Sequence, residues 1–193
     1  MEPAGPGWLS GIVRVSFDKT GRRRYGVIVE RRQAADVTMH PAPGYDDWVP
    51  HDLIHFLVER EVGLRDGIFG QLAAGGDAHT FVPTAEQRTR RWARRSERRN
   101  AGSGSQIDRS ERVAFAVHNE WNFRTGRHRS RLPRDPQTEA DVQAVLPALD
   151  DAARAWHALP VHGSLAFTWP WPERGERRAA RRSTATAPAP PDH

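Results

Sequence analysis

Two stretches of alternating apolar and polar residues near the start of the chain constrain its fold most strongly. In the first, IVRVSF at residues 12–17, the apolar side chains recur at every second position. After the turn sequence DKTG the same period returns in RRRYGVIVERR, where Tyr25, Val27 and Val29 share one face. This period is typical of a β-strand that buries one face. The sequence therefore predicts a β-hairpin with its second strand at residues 24–31.

A third stretch of this kind lies near the other end of the chain, at residues 163–169 (GSLAFTW). A hairpin of two strands is only marginally stable in water, so we expect this strand to join it in a small antiparallel sheet. Several apolar helical stretches lie between the strands and would cover one face of the sheet. The predicted fold class is α+β, with residues 11–172 forming a single domain.

The two ends of the chain have the composition of segments that lie outside a core. Residues 1–10 are rich in proline and glycine, and residues 173–193 contain no large apolar residue. We expect a flexible N-terminus over the first range and a disordered tail over the second. The sequence shows neither a secretory signal nor a run of about eighteen apolar residues. A cytoplasmic protein without a membrane partner is the expectation, and the oligomeric state is left open.

The stretch WVPHDLIHFLVEREVG, residues 48–63, places four ionisable residues in an otherwise apolar predicted helix. At 100° per residue, all four fall within an arc of about 100°: His51, Asp52, His55 and Glu59. Two histidines four positions apart can hold one metal ion from the same helix face. The candidate cofactor is a divalent metal such as zinc, and because the chain has no cysteine, its ligands would have to be His, Asp or Glu. Its candidate ligands are His51, His55 and Glu59.

The five residues HDLIH resemble the HExxH helix of zinc metallopeptidases, in which the glutamate acts as general base. Asp52 stands in that position and is the candidate catalytic residue, but its side chain is one methylene shorter, which places a base farther from a metal-bound water. The spacing leaves the third ligand open between Glu59, His79 and His118. The alternative is a structural role. In it, Asp52 stabilises the first helical turn through the unpaired N–H groups and the helix dipole, and His55 forms ordinary hydrogen bonds. The sequence favours this structural role.

Residues 85–99 predict an arginine-rich helix that projects from the domain, because it offers little apolar surface to bury. The whole chain carries a net charge of +5, whereas residues 81–134 carry +9. Guanidinium groups bind phosphates and carboxylates, and an indole can stack on a base. The candidate contacts to an acidic protein or nucleic acid are Arg88, Arg91, Trp92, Arg94, Arg95 and Arg98. Residues 100–105 (NAGSGS) predict a flexible break. The alternative is a solvated basic face, or one paired with the acidic segment 135–151.

Four features together resemble a set of uncharacterised small bacterial proteins over most of residues 10–170: PHDLIHFLVE, GIFGQLAAGG, the arginine-rich helix and WHALPVHGSLAFTWP. The resemblance implies no activity and no residue role. The residues favour an intracellular binding or accessory protein over an enzyme, with the arginine-rich helix contacting an acidic protein or nucleic acid. The alternative is a metal-dependent hydrolase that uses the helix face of His51, Asp52, His55 and Glu59.

Overall fold

The strands form one five-stranded antiparallel sheet. The computed structural model describes residues 12–42, 48–83, 89–100 and 104–172. The strands are β1 (Val13–Gly21), β2 (Arg24–Glu30), β3 (Val37–Met39), β4 (Val82–Pro83) and β5 (Ser164–Trp169). Their order in the sheet is β4-β3-β2-β1-β5. The predicted α+β class, with the hairpin and the C-terminal strand in one antiparallel sheet, is confirmed. The strands β3 and β4 extend the sheet beyond the three that the sequence predicts.

The central strand β1 pairs with a strand on each side. Val15 lies opposite Val29 of β2 and Phe167 of β5, and Phe17 lies opposite Val27 of β2. Because side chains alternate between the two faces of a strand, these apolar residues share the face that the helices cover. Val15, Phe17, Val27 and Val29 are fully or almost fully buried there.

Five helices are described, and the first of them is the most deeply buried. Their bounds are α1 (His51–Val62), α2 (Ile68–Ala73), α3 (Arg90–Asn100), α4 (Gly104–Arg124) and α5 (Pro136–Ala158). The helix α1 packs against α2, α4 and α5, and residues 52–59 are all buried. The side chains of Asp52, His55 and Glu59 are therefore positioned by contacts with neighbouring elements. None of the described helices has the length and apolar character that crossing a bilayer requires.

Several predicted segments fall wholly or partly outside the described residues. In the structure α3 begins at Arg90, and only residues 101–103 separate its last residue, Asn100, from the start of α4 at Gly104. The predicted flexible break at 100–105 is therefore wrong for residues 100, 104 and 105, which are helical, and its other residues lie outside the described ones. The residues outside the description are 1–11, which include the predicted flexible N-terminus, 43–47, 84–88, 101–103 and the predicted tail at 173–193.

Candidate metal centre

The first turn of α1 brings two imidazole rings together. His51 is the first residue of the helix and is exposed, whereas His55, one turn later, has only 1% of its surface exposed. Residues four apart lie on the same helix face. Their Nε2 atoms are 3.1 Å apart, and the two rings meet edge to face. Both side chains therefore present Nε2 to the same small volume at the protein surface.

A carboxylate from α4 completes this group. Oε2 of Glu111 lies 3.5 Å from Nε2 of His55, and the ligand atoms of His51, His55 and Glu111 all lie within 4.8 Å of one another. We call these three residues the ligand group. Atoms bound to one tetrahedral zinc ion at about 2.0–2.1 Å are about 3.3 Å apart. The separations of 3.1 and 3.5 Å from Nε2 of His55, together with the donor types, are those expected of ligands that share one divalent metal ion.

The ligand group is open to solvent on one side. The side chain of Glu111 is 57% exposed and that of His55 only 2%, while His51 is exposed. A structural zinc site usually has four protein ligands, whereas a catalytic site has three and leaves one position for water or substrate. The three candidate ligands among the described residues, two of them at the surface, would leave a coordination position for water or substrate.

Glu59 directs its carboxylate away from the ligand group and towards the start of α2. It is fully buried and accepts hydrogen bonds from the backbone N–H of Ile68 at 2.7 Å and of Phe69 at 2.8 Å. Gly67 allows this approach, because a Cβ there would lie 2.3 Å from Cδ of Glu59. Burial raises the pKa of Glu59 to about 7, and the hydrogen bonds partly offset the shift. The structure thus places Glu59, which the sequence predicted as a ligand, outside the ligand group.

Ser110 of α4 connects Glu59 with His55. Its buried hydroxyl donates to Oε1 of Glu59 at 3.0 Å, and its Oγ lies 3.1 Å from Nδ1 of His55. A hydroxyl whose single proton goes to a carboxylate must accept from the imidazole, so we assign the ring proton to Nδ1. This tautomer leaves a lone pair on Nε2, as metal binding there requires. Burial and, secondarily, the charge of His51 lower the pKa of His55 to about 3, so the ring is neutral at pH 7.

Asp52 faces the sheet rather than the ligand group. The hydroxyl of Tyr25 in β2 donates to its Oδ2 at 2.6 Å, and the Tyr25 ring packs edge to face on Trp156 of α5. Burial raises the pKa of Asp52, with the Tyr25 hydrogen bond and the neighbouring His51 acting in the opposite direction. Burial also raises the pKa of Tyr25. Asp52 is thus held next to the ligand group by a hydrogen bond from the sheet.

The two histidines predicted as further third ligands lie elsewhere. His79 is exposed in the turn between α2 and β4, where its backbone N–H donates to Asp77 Oδ1. His118 lies on α4 about two helical turns beyond Glu111. Within the described parts of the chain, the metal-ligand atoms that converge are those of the ligand group. Glu111 therefore occupies the place that the spacing left open. Its only sequence signal is an acidic residue within DRSERVAF, beside an apolar helix stripe.

The described contacts of the arginine-rich helix α3 with the domain come from residues other than arginine. Trp92, Ser96 and Asn100 recur at every fourth position, with Trp92 against the core and the other two buried. Oδ1 of Asn100 accepts from the backbone N–H of Ala78 at 3.2 Å, and this hydrogen bond links the C-terminal end of α3 to the segment between α2 and β4. Arg94 is exposed. The other predicted contacts lie, wholly or in their side chains, outside the description: Arg88, Arg91, Arg95 and Arg98.

Comparisons of the chain with protein-family models, with curated proteins and with solved structures gave no match. The resemblance to small bacterial proteins stays a prediction. Function must therefore be inferred from the side chains themselves, because a fold class hosts many activities. The most specific chemical feature among the described residues is the ligand group.

Proposed function

We propose that this protein binds a divalent transition-metal ion, with zinc as the best fit, and uses it in a hydrolytic reaction. One observation carries the proposal: two imidazole nitrogens from α1 and a carboxylate oxygen from α4 converge within 4.8 Å. Catalytic zinc sites of several hydrolases use the same set of two histidines and one glutamate. A metal ion held this way lowers the pKa of a bound water to about 7 and so supplies a nucleophile at neutral pH.

The protein side of this proposal rests on three properties of the site. His55 is neutral and buried, so its Nε2 needs no loss of a proton to bind a metal. In the metal-free protein this lone pair accepts a hydrogen bond from Nε2 of His51, which a metal ion would replace. His51 and Glu111 are exposed, which leaves room for a substrate. The ligands come from two packed helices rather than from loops, so their separation is fixed by the α1–α4 packing. Asp52, next in sequence to His51, is hydrogen-bonded to Tyr25 and faces the sheet, so we assign it no role as a base at the metal.

The first test is metal content and affinity. We expect the purified protein to bind one equivalent of Zn²⁺ in a competition titration with a chromophoric chelator. His55→Ala and Glu111→Gln should each weaken binding by more than about 100-fold, because loss of an outer partner alone costs about 10–100-fold. His128→Ala, which removes an exposed histidine outside the group, is the matched control. Equal affinities in all four proteins would overturn the proposed site.

The second test is hydrolysis. Chromogenic carboxylic esters, phosphoesters and peptide amides should be assayed with the zinc-loaded protein, before and after removal of the metal by a chelator. We expect one class to be cleaved in a chelator-sensitive way, with the activity lost in Glu111→Gln. Stoichiometric metal binding without cleavage of any class would retain the metal site and reject the hydrolase.

A binding function of α3 is the second candidate, and the packing of this helix favours it. The stripe of Trp92, Ser96 and Asn100 attaches the helix to the domain, and Arg94, which lies off this stripe, is exposed. We expect salt-dependent binding of nucleic acid or of an acidic protein, because binding to phosphates falls steeply with salt. The combined replacement of Arg91, Arg94, Arg95 and Arg98 by alanine should abolish it, whereas Arg22→Ala in the β1–β2 turn should not. Unchanged binding in the quadruple variant would exclude this role.

A further inference from the structure

We propose that Ser110 and Glu59 are positioning residues for the metal site, which act by holding His55 in the tautomer and orientation that present Nε2 to the metal. This inference rests on the proposed metal binding, but it concerns two residues that bind no metal themselves. The positioning chain consists of His55, Ser110 and Glu59.

Each link in the positioning chain is short and shielded from water. Nδ1 of His55 lies 3.1 Å from Oγ of Ser110, and that hydroxyl lies 3.0 Å from Oε1 of Glu59. The three residues are at most 1% exposed. Water therefore does not compete for these hydrogen bonds, and each buried polar atom depends on its protein partner.

The donors around Glu59 set the direction of the whole chain. Its two carboxylate oxygens accept from the backbone N–H groups of Ile68, Phe69 and, more weakly at 3.4 Å, Gly70. In its ionised form Glu59 offers only acceptors, so it accepts from Ser110 as well as from these N–H groups. The Ser110 hydroxyl must then donate to Glu59 and accept from His55 Nδ1. The start of α2 thus determines, through two side chains, which nitrogen of His55 carries the proton.

The arrangement also links the ligands to one another. Ser110 immediately precedes Glu111, so α4 supplies one metal ligand and the partner that orients another. A histidine that binds a metal usually donates its other ring N–H to a carboxylate, carbonyl or water, and loss of that partner weakens metal affinity. Here the Ser110 hydroxyl accepts from the ring N–H of His55 and donates to Glu59.

The decisive variant is Ser110→Ala, compared with Ser105→Ala as the same substitution at an exposed position of α4. Without the hydroxyl, the protonated Nδ1 loses its buried acceptor, and the tautomer protonated at Nε2 gains population. We expect zinc affinity to fall by about 10–100-fold. Long-range ¹H–¹⁵N correlation spectra should show His55 protonated at Nδ1 in the parent protein and a mixture of tautomers in Ser110→Ala. The Ser105→Ala variant should match the parent protein in both measurements.

A second variant, Glu59→Gln, tests the far end of the positioning chain. Glutamine offers one acceptor and one donor group, so it cannot accept from both Ser110 and all the α2 amides. We expect weaker zinc binding and a changed His55 tautomer, together with a lower melting temperature. A purely structural role predicts lower melting temperatures in both variants with zinc affinity and tautomer unchanged, and that result would overturn the inference. If the parent protein binds no zinc, the proposed function fails, while the tautomer measurement still decides the positioning role.

Discussion

The two halves of α4 use their carboxylates in opposite ways. In the C-terminal half, the side chain of Glu120 is fully buried. Three arginines contact it: Arg124, Arg131 and Arg134. In the N-terminal half, Glu111 is mostly exposed, and among the described residues its carboxylate contacts the imidazole of His55. The oxygens of Glu120 are paired with guanidinium groups, whereas those of Glu111 face imidazole nitrogens with which they could share a metal ion.

This difference separates a carboxylate that stabilises the fold from one that is available for binding. Hydrogen bonds from Arg131, followed by those from Arg134 and Arg124, lower the pKa of Glu120 to about 2, against the opposing effect of burial. Its oxygens are thus committed to guanidinium groups at all physiological pH values. Glu111 has no such arginine contact among the described side chains, so its oxygens remain available to a cation at the ligand group.

The largest effect on stability is expected from Glu120→Gln. Loss of the charge leaves three guanidinium groups around a buried neutral side chain, and breaking a buried ion pair costs about 3 kcal/mol or more. We expect the free energy of unfolding, measured by urea titration near pH 7, to fall by about this amount. Zinc affinity should stay at the parent value. In metal-free protein Glu111→Gln should have a much smaller effect, and equal losses in the two variants would remove the contrast between the two halves of α4.

The stabilisation by Glu120 should also depend on pH in a defined direction. Its pKa in the fold is about 2, below the ordinary value of 4.5, so the unfolded chain binds more protons between these values. The contribution is therefore fully present above about pH 4.5 and is lost as pH falls through about 2. The difference in unfolding free energy between the parent protein and Glu120→Gln should shrink over this window. A difference that stayed constant down to pH 2 would contradict the proposed ion pairing.

The next effect in size is stabilisation by metal. Free Zn²⁺ at one hundred times its Kd should stabilise the parent protein by about 2.7 kcal/mol. For a chain of this length that corresponds to a rise in Tm of about 5–10 °C. We expect Glu120→Gln to show the same rise from a lower starting Tm. Glu111→Gln should show little rise, and a full rise in that variant would mean that zinc binds elsewhere.

A smaller effect is expected from Gly67→Ala, which perturbs the support behind the ligand group. The new Cβ would lie 2.3 Å from Cδ of Glu59, and the carboxylate cannot move without breaking its hydrogen bonds to Ser110 and α2. We expect a loss of about 2 kcal/mol, typical of overpacking, measured by urea unfolding. Gly104→Ala is the control, because a Cβ there meets no atom within 4 Å. Similar stabilities of the two variants would show that Glu59 is free to move.

The parts of the fold that follow from local periodicity could be predicted from the sequence. The alternation in residues 12–17 and 163–169 identifies strands. Because a hairpin is marginally stable by itself, a third strand is expected to pair with it. The short strands β3 and β4 could not be predicted in this way. They contain three and two residues, too few for a periodic pattern, and their pairing depends on β2 being adjacent. Pro83 is tolerated in β4 because that strand is at the sheet edge.

In the candidate site, too, the sequence predicts what helix periodicity fixes and does not predict what depends on packing between elements. Helix geometry places His51 and His55 one turn apart, since both belong to one element. Glu59 shares their helix face by the same rule, yet its side chain turns to the backbone of α2. Periodicity gives the direction in which a side chain leaves a helix, but the nearest donors decide where its charged end lies. The position of Glu111 depends on how α4 packs against α1, which no local pattern encodes.

By itself, the sequence determined the three periodic strands, the absence of thiolate ligands and the i, i+4 pair of His51 and His55. These properties depend on residue identity and on the fixed pitch of a helix. Only the tertiary structure decided that Glu111 joins the pair, that Glu59 stands behind it through Ser110, and that Glu120 is enclosed by arginines. Contacts between elements distant in the chain arise from burying apolar faces against one another, and that packing sets which polar groups meet.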